Sequence, residues 1–261
     1  MIYGAKHKNE EVRLNSSSGG IFRPLAENTI KKGGVVFGAS YNKNNVEHIE
    51  VSNIEDLIKL QKSKYVRSDL KDSYKNVKEY LDKGIEVLFS GTPCQVKGLK
   101  KYLKQEYDNL LCVDFICHGT PTKKAFQKYM KNNKIKKIDF KDKSKGWNNY
   151  HINKDGELEF YQDNEYMQDF INDRNLEESC YRCTNKKFKS NSDIKLADFW
   201  GIQYINPRFS DDKGISTVFI NTIKGEKEFE GIKHLLDTIE VSLEEATRFN
   251  PSFYNKATKG K

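Results

Sequence analysis

Two consecutive strand–turn–helix units constrain the fold of this chain more than any other feature of its sequence. In the first unit, the apolar run 85–89 leads through a short turn into a predicted helix that extends to about residue 104. In the second, the apolar run 110–116 leads through another short turn into a predicted helix over 122–132. Strands and helices that alternate through tight turns are typical of parallel sheets. The sequence therefore predicts an α/β fold.

The turns of the two units share a pair of residues. Each contains a threonine followed by a proline, Thr92-Pro93 in the first unit and Thr120-Pro121 in the second. Threonine is favoured as a helix cap, and proline is favoured at the first helical position, where its missing N–H costs nothing. We therefore expect each helix to begin at its proline.

The remaining apolar runs predict a central mixed, largely parallel sheet that is flanked by helices and carries cysteines in its βα loops. Residues 1–134 are expected to form an α/β domain, residues 135–179 an irregular α+β insertion, and residues 180–261 the strands and helix that complete the domain. A single domain over residues 1–255 is the alternative.

Composition and charge limit the classes of function. No apolar run among the 261 residues approaches the roughly 20 residues of a membrane helix, and the N-terminal stretch lacks the hydrophobic segment of a signal peptide. We therefore expect a cytoplasmic protein without a membrane span. The net charge of +8 comes from cations that alternate with acids along the whole chain, so we expect no specific nucleic-acid partner. A basic face for an acidic protein or a phosphate-bearing substrate stays open.

Cysteine placement is the strongest chemical signal. An odd count of five cysteines without a secretory signal argues against a disulfide framework and favours metal binding or redox chemistry. Cys94 and Cys117 each lie where a predicted strand passes into a helix, at the sheet edge where α/β proteins bind ligands. Cys112 lies within a predicted strand and is interpreted as a buried structural residue.

Cys180 and Cys183 form a C-x-x-C pair in a polar, basic loop. Two thiolates at this spacing can bind one metal centre, although the same spacing also serves redox disulfides. With Cys94 and Cys117 they make four candidate ligands, which suits either a structural zinc ion or a 4Fe-4S cluster. Spacing alone does not separate these two.

Two serine- and glycine-rich turns are candidate phosphate sites. Ser17-Ser18-Gly19-Gly20 precedes a predicted helix, and Ser90-Gly91-Thr92 precedes another. Hydroxyls and unhindered backbone amides at the positive end of a helix dipole bind phosphate well, but an ordinary capped helix has the same pattern. The chain has neither a Walker A sequence nor a G-x-G-x-x-G fingerprint after a strand.

The sequence also resembles a known family over nearly its whole length. The segments that carry the resemblance are Ser17-Ser18-Gly19-Gly20, Gly33-Gly34-Val35-Val36-Phe37-Gly38, Ser63-Lys64-Tyr65-Val66, Phe89-Ser90-Gly91-Thr92-Pro93-Cys94-Gln95, Asp114-Phe115-Ile116-Cys117-His118-Gly119, Lys143-Ser144-Lys145-Gly146-Trp147, Ser179-Cys180-Tyr181, Asp198-Phe199-Trp200-Gly201 and Phe249-Asn250-Pro251. In this order they resemble the coenzyme F420 hydrogenase/dehydrogenase beta-subunit family.

This resemblance implies a flavoprotein that binds FAD and a 4Fe-4S cluster and passes electrons between a hydride carrier and iron–sulfur centres. The four candidate cysteines fall inside the family's segments, whereas Cys112 does not. The resemblance further implies that the serine-glycine turns and Lys64-Tyr65 hold the flavin. Many members carry a cysteine-rich ferredoxin-like segment that precedes these motifs, whereas this sequence has no cysteine before Cys94. We therefore expect either that a redox partner, such as a ferredoxin or another subunit, supplies that relay or that this chain is a shortened version. The alternative is a zinc-stabilised, non-catalytic scaffold module in a cell-surface polysaccharide pathway.

Overall fold

A computed structural model of the chain describes residues 1–259. Within these residues the chain forms eleven strands: β1 (Ile2–His7), β2 (Val35–Asn42), β3 (Asn45–Val51), β4 (Val87–Ser90), β5 (Leu110–Phe115), β6 (Ile138–Asp142), β7 (His151–Lys154), β8 (Glu157–Phe160), β9 (Ile194–Asp198), β10 (Ser216–Ile220) and β11 (Leu236–Glu240).

The same residues form ten α-helices: α1 (Glu10–Leu14), α2 (Phe22–Lys31), α3 (Ser73–Asp82), α4 (Pro93–Leu103), α5 (Lys123–Asn132), α6 (Glu165–Ile171), α7 (Glu178–Tyr181), α8 (Ile202–Ile205), α9 (Ile223–Lys233) and α10 (Leu243–Thr247). Two short 3-10 helices, Glu55–Leu60 and Pro251–Phe253, complete the described secondary structure.

Eight of the strands form one mixed sheet in the order β11-β1-β10-β9-β5-β4-β2-β3. Its centre is parallel, because β4 pairs in parallel with β2 and β5, and β5 pairs in parallel with β9. The outer pairs are antiparallel. The predicted α/β fold with a mixed sheet and flanking helices is therefore confirmed. The parallel part is smaller than expected, because three of the seven strand pairings in this sheet are parallel and four are antiparallel.

The alternating direction of side chains along the central strands explains why helices cover both faces of this sheet. Val87 and Phe89 of β4 pack with α3 and α4 on one face, whereas Leu88 packs with α2 and α9 on the other. Successive side chains of a strand point to opposite faces, so a strand that is apolar throughout must be covered on both sides.

Residues 138–160 form a separate three-stranded antiparallel sheet, in the order β6-β7-β8. Its core joins this sheet to α5 and α6 through aromatic side chains, which include Phe126, Phe140 and Tyr166. The chain then returns to the large sheet, because β9 pairs with β5, and β10 and β11 both pair with β1.

The two strand–turn–helix units differ at their turns. In the first, α4 begins at Pro93 as predicted, and the side chain of Gln95 accepts a hydrogen bond of 2.9 Å from the backbone N–H of Thr92. In the second, the expectation is wrong, because Thr122 is the cap and the helix begins at Lys123, two residues after Pro121. Pro121 instead pairs with Leu176 in an isolated antiparallel β-bridge and therefore lies outside the helix.

Candidate functional site

The four candidate cysteines line a single cavity of about 320 Å³, which we call the cysteine cavity. Cys94 lies in the first turn of α4, and Cys117 lies two residues beyond the end of β5. Because β4 and β5 are adjacent and parallel, their carboxyl ends bring these two residues to the same sheet edge. Cys180, in α7, and Cys183, just after it, approach from the second half of the chain.

Hydrogen-bond donors surround the sulfur atoms. The backbone N–H of Thr120 donates to Sγ of Cys180 at 3.4 Å, and the backbone N–H of Asn185 donates to Sγ of Cys183 at 3.4 Å. The hydroxyl of Thr92 lies 3.1 Å from Sγ of Cys94. Such donors stabilise thiolates and tune the potential of iron–sulfur centres.

Burial and nearby charges both act on the thiol of Cys117. Burial raises the pKa of the Cys117 thiol to about 12, with Cys94, Cys180 and Cys183 raising it further by charge repulsion and Lys186 opposing the shift. The ammonium of Lys186 also donates to the carbonyl oxygen of Cys117 at 2.6 Å. Four thiolates would repel one another here, so the site needs a cation or a positively charged centre to ionise fully.

Cations dominate the wall of the cysteine cavity. None of the described residues that line it is Asp or Glu, whereas its basic side chains are Arg67, His118, Arg182, Lys186, Lys187 and Lys195. Lys195 is buried and pairs with Asp114 at 2.7 Å, so that one of these charges is already balanced.

The fifth cysteine lies elsewhere. Cys112 is fully buried within β5 and packs against the α3 and α4 side of the sheet. Burial, followed by repulsion from Asp193, raises the pKa of its thiol. It does not line the cysteine cavity.

A larger cavity of about 680 Å³, which we call the main cavity, lies beside the cysteine cavity. It opens at the carboxyl ends of the parallel strands, where ligands of α/β proteins bind. Eight of the nine cofactor-site residues expected from the sequence line it, namely Ser17, Ser18, Gly20, Lys64, Tyr65, Ser90, Gly91 and Thr92.

Gly19, the ninth, has a different position. A side-chain carbon at this residue would lie 2.3 Å from the carbonyl oxygen of Ala5 and 2.7 Å from the backbone nitrogen of Ser216. Its own N–H donates to the hydroxyl of Ser216 at 3.0 Å. Gly19 therefore lets the serine-glycine turn lie directly against β1 and β10.

Lys64 contacts the main cavity with its ammonium already engaged. Its Nζ donates to the carbonyl oxygens of Gln61, at 2.5 Å, and Lys59, at 3.2 Å. Burial lowers the pKa of Lys64 to about 7, against the attraction of Asp139. This side chain therefore braces the end of the 3-10 helix Glu55–Leu60 at the wall of the cavity.

Aromatic rings form one wall of the main cavity. Those that line it include Tyr65, Tyr150, Tyr161, Phe170 and Trp200. Trp200 stacks on the buried ring of Trp147 with centroids 4.7 Å apart. The buried Lys141 lies 4.6 Å from the Trp200 ring and forms an ion pair with Asp198. Such an aromatic wall suits a planar aromatic ligand.

The two cavities share a wall. Residues that line both are Arg67, Phe115, Ile116, Cys117, His118, Gly119, Thr120 and Ser252. Within this wall, Nε2 of His118 lies 2.7 Å from a carboxylate oxygen of Asp173, and Nδ1 lies 3.1 Å from the hydroxyl of Ser252. A ligand in the main cavity is thus separated from the four cysteines by little more than Cys117 and its neighbours.

Sequence reasoning missed Lys143 and His48. Lys143 is buried behind the serine-glycine turn, and its ammonium donates to the carbonyl oxygens of Arg13, Ser18 and Lys213. His48 lines the main cavity, and its Nε2 lies 3.0 Å from the carbonyl oxygen of Ser90. Lys143 falls in a segment that carries the family resemblance, but no pattern in the sequence around it indicates that its ammonium contacts carbonyl groups far away along the chain.

The four cysteines of the cysteine cavity do not form a preassembled cluster of metal ligands. Within residues 1–259, no three His, Cys, Asp or Glu side chains converge closely enough to hold one ion. All four cysteines line the wall of the same cavity. Four thiol donors suit either a zinc ion or a 4Fe-4S cluster.

The fold and the site define a class: an α/β protein with a cysteine-lined cavity joined to a larger cavity at the carboxyl edge of its sheet. Residues 85–244 match the family model that describes the C terminus of the coenzyme F420 hydrogenase/dehydrogenase beta subunit. The chain belongs to this family of oxidoreductase subunits.

A solved structure shares the fold. A chain from the F420-reducing [NiFe] hydrogenase complex of Methanosarcina barkeri, in a xenon-derivatised form, superposes with a TM-score of 0.66 at 16% identity. The match covers 97% of this chain and 88% of that chain. No curated protein matches the sequence. In the part of the chain that the structure describes, no helix is both long and apolar enough to span a bilayer.

Proposed function

We propose that this chain is a cytoplasmic electron-transfer subunit that binds FAD in the main cavity and a 4Fe-4S cluster in the cysteine cavity. The observation that carries the proposal is the shared wall of the two cavities, which contains Cys117. Electron transfer weakens steeply with distance, so two redox groups on either side of one wall can exchange electrons.

The cysteine cavity fits a cluster in its ligands and in its surroundings. Four thiols line it, and backbone N–H groups of Thr120 and Asn185 donate to two of the sulfurs. The nearby ammonium of Lys186 offsets negative charge at Cys117. Cys94, Cys117, Cys180 and Cys183 are the ligands that we propose.

The main cavity fits a flavin dinucleotide by shape and by chemistry. Its aromatic wall offers a face for the ring system, and its serine and glycine turns offer hydroxyls and amides for the phosphates. The turn at Ser17–Gly20 leads into α2. Its N-terminal cap residue, Ile21, makes no side-chain hydrogen bond to the first backbone N–H groups of the helix, so these groups are available to a phosphate.

A flavin held in the main cavity would supply hydride acceptance and the release of single electrons. Within this scheme, Trp200 and its stacked neighbour Trp147 hold one wall of the main cavity in place. The chain would pass electrons between a reduced carrier, coenzyme F420 or ferredoxin, and a partner. The fold neighbour from a multi-subunit hydrogenase complex supports another subunit as that partner.

Anaerobic purification with metal, sulfide, flavin and absorbance measurements tests the proposal directly. We expect about four iron and four sulfide per chain, one FAD, and the broad absorbance of a 4Fe-4S cluster beneath the flavin bands. Zinc without sulfide would contradict the cluster and favour a structural metal. Protein that remains colourless after reconstitution with iron, sulfide and FAD would overturn the whole assignment.

A further inference from the structure

An exposed surface with positive charge and aromatic rings lies beside the cysteine cavity. It is formed by residues 179–192 and 249–259, which meet where the backbone N–H of Lys187 donates to the carbonyl oxygen of Phe253 at 2.9 Å. Neither segment contains Asp or Glu. We call this surface the basic rim and define it by its exposed residues Arg182, Lys187, Phe188, Lys189 and Tyr254.

The basic rim adjoins the candidate cluster site directly. Arg182 and Lys187 line the cysteine cavity, and Arg182 lies between the two cysteines of the C-x-x-C pair. Cys94, Cys180 and Cys183 all retain partial exposure. A protein bound to the rim would therefore lie close to the four sulfurs.

Two aromatic side chains anchor the rim. Phe188 is 40% exposed and Tyr254 is 45% exposed, although both rings contact the buried Phe253, at centroid distances of 5.2 Å and 4.9 Å. They are held in place yet presented to solvent. Rigid aromatic residues with a polar border are typical energetic centres of protein interfaces.

The charges of the rim are not balanced within the chain. Glu178, the acid that immediately precedes residues 179–192, pairs with Lys259 at 2.7 Å. Within residues 1–259, neither Arg182 nor Lys187 nor Lys189 forms an ion pair with a carboxylate. Lys187 lies instead over the ring of Tyr254, 5.5 Å from its centroid.

The exposed cations of the basic rim are not needed to balance the charge of the cysteine thiolates. That role suits Lys186, which is half-buried and hydrogen-bonded to Cys117, and Lys195, which is buried and paired with Asp114. Lys187 and Lys189 are exposed, where water and salt screen their effect on a buried centre. Exposed charges of one sign act mainly on the encounter with a partner.

We propose that the basic rim is the docking surface for a small acidic electron-transfer protein. This inference rests on the proposed function, because a redox centre in the cysteine cavity is what such a partner would approach. The cations attract an acidic face, and Phe188 and Tyr254 provide the central contact. Redox encounters of this kind use small interfaces and depend strongly on salt.

Binding of a two-cluster bacterial ferredoxin, a small acidic protein, to the anaerobically purified full chain tests the surface. Biolayer interferometry would compare the wild type with the double variant Lys187→Glu/Lys189→Glu. We expect the double variant to raise Kd by about tenfold or more at low ionic strength, because two attractive charges become repulsive. The wild-type Kd should itself rise with added salt.

Lys227→Glu is the matched control. Lys227 is exposed on α9, and Lys224 of the same helix donates to the carbonyl oxygen of Leu110 at the start of β5, the strand end opposite to Cys117. This change in charge should leave Kd within about twofold, since screening limits its reach across the molecule.

Equal affinities for the wild type and the Lys187→Glu/Lys189→Glu variant would overturn the docking surface. So would equally tight binding of a similarly sized acidic protein that has no redox centre, because the rim would then be a non-specific cation patch. Iron, sulfide and flavin counts on the same preparations judge the proposed function separately, so a missing cluster and a missing docking surface give different results.

Discussion

The ammonium of Lys143 donates a hydrogen bond of 2.9 Å to the carbonyl oxygen of Ser18 and so ties the small sheet region to the serine-glycine turn. The same Nζ donates to the carbonyl oxygens of Arg13 and Lys213. All three of its protons are thereby used on backbone acceptors. This lysine fixes the turn that lines one side of the main cavity.

Replacing Lys143 by Met should weaken FAD binding by about tenfold, because a turn that loses its charged donor must be ordered by the ligand instead. Flavin fluorescence titration of the apoprotein gives Kd for the wild type and the variant. Lys145→Met is the control, since Lys145 is exposed two residues away. If Lys143→Met lowers Tm but leaves Kd unchanged, the lysine stabilises the fold without positioning the turn.

The cysteine assignment predicts opposite results for Cys112 and Cys117, which are five residues apart in the sequence. Cys117→Ser should abolish the cluster, because it removes a ligand from the cavity wall, and Cys180→Ser should do the same with a loss of stability. Cys112→Ser should keep iron and sulfide at wild-type levels, since this residue packs on the far side of β5. Metal and sulfide counts after identical reconstitution decide the matter. Loss of the cluster in Cys112→Ser with retention in Cys117→Ser would invert the assignment.

Local patterns in the sequence predicted those elements whose signals lie within a few residues. The start of α4 at Pro93 is one example, because cap, proline and apolar run are contiguous. The start of α5 was misplaced because threonines flank Pro121 on both sides, and its pairing with Leu176 decided between them. A contact across more than fifty residues leaves no local trace.

The same limit explains what was missed in the sheet and the site. Strand β1 was not expected, since Gly4 and Lys6 interrupt its short apolar pattern and its partner Phe219 lies at the other end of the chain. Positions of the cysteines at strand ends did indicate a common edge. The joining of the two cavities, however, depends on how three separate segments pack, namely Arg67, residues 115–120 and Ser252, and this is a property of the folded chain.

His48 gives the apoprotein a pH-dependent stability. Burial lowers the pKa of its imidazole from 6.5 to about 4, although the Ser90 carbonyl opposes the shift. In the unfolded chain this histidine gains a proton as the pH falls through 6.5, whereas in the folded chain it stays neutral until about pH 4. Between these values the unfolded state binds more protons, so stability is lost as the pH falls.

The expected loss from His48 between pH 6.5 and pH 4 is about 3 kcal/mol, from a shift of roughly 2.5 units at 1.36 kcal/mol per unit. Urea unfolding of the apoprotein at several pH values should show a shallower dependence for His48→Phe, which keeps a ring against Phe89. His234→Phe, at an exposed position, should retain the wild-type slope. Parallel curves for the wild type and His48→Phe would refute this account.

Two glycines should respond to alanine in opposite directions. At Gly19 an added carbon would lie 2.3 Å from the Ala5 carbonyl oxygen and 2.7 Å from the Ser216 nitrogen, and neither backbone atom can move aside without shifting a strand. Gly19→Ala should therefore cost about 2 kcal/mol or more of stability and weaken FAD binding, because the turn is pushed toward the main cavity.

Gly231, exposed on α9, has only the Asn28 amide near it, at 3.8 Å. Gly231→Ala should stabilise the protein by up to about 1 kcal/mol through helix propensity. Thermal unfolding and flavin titration of both variants measure the contrast, and a Gly19→Ala protein as stable as the wild type would show that the turn does not need its close approach to β1.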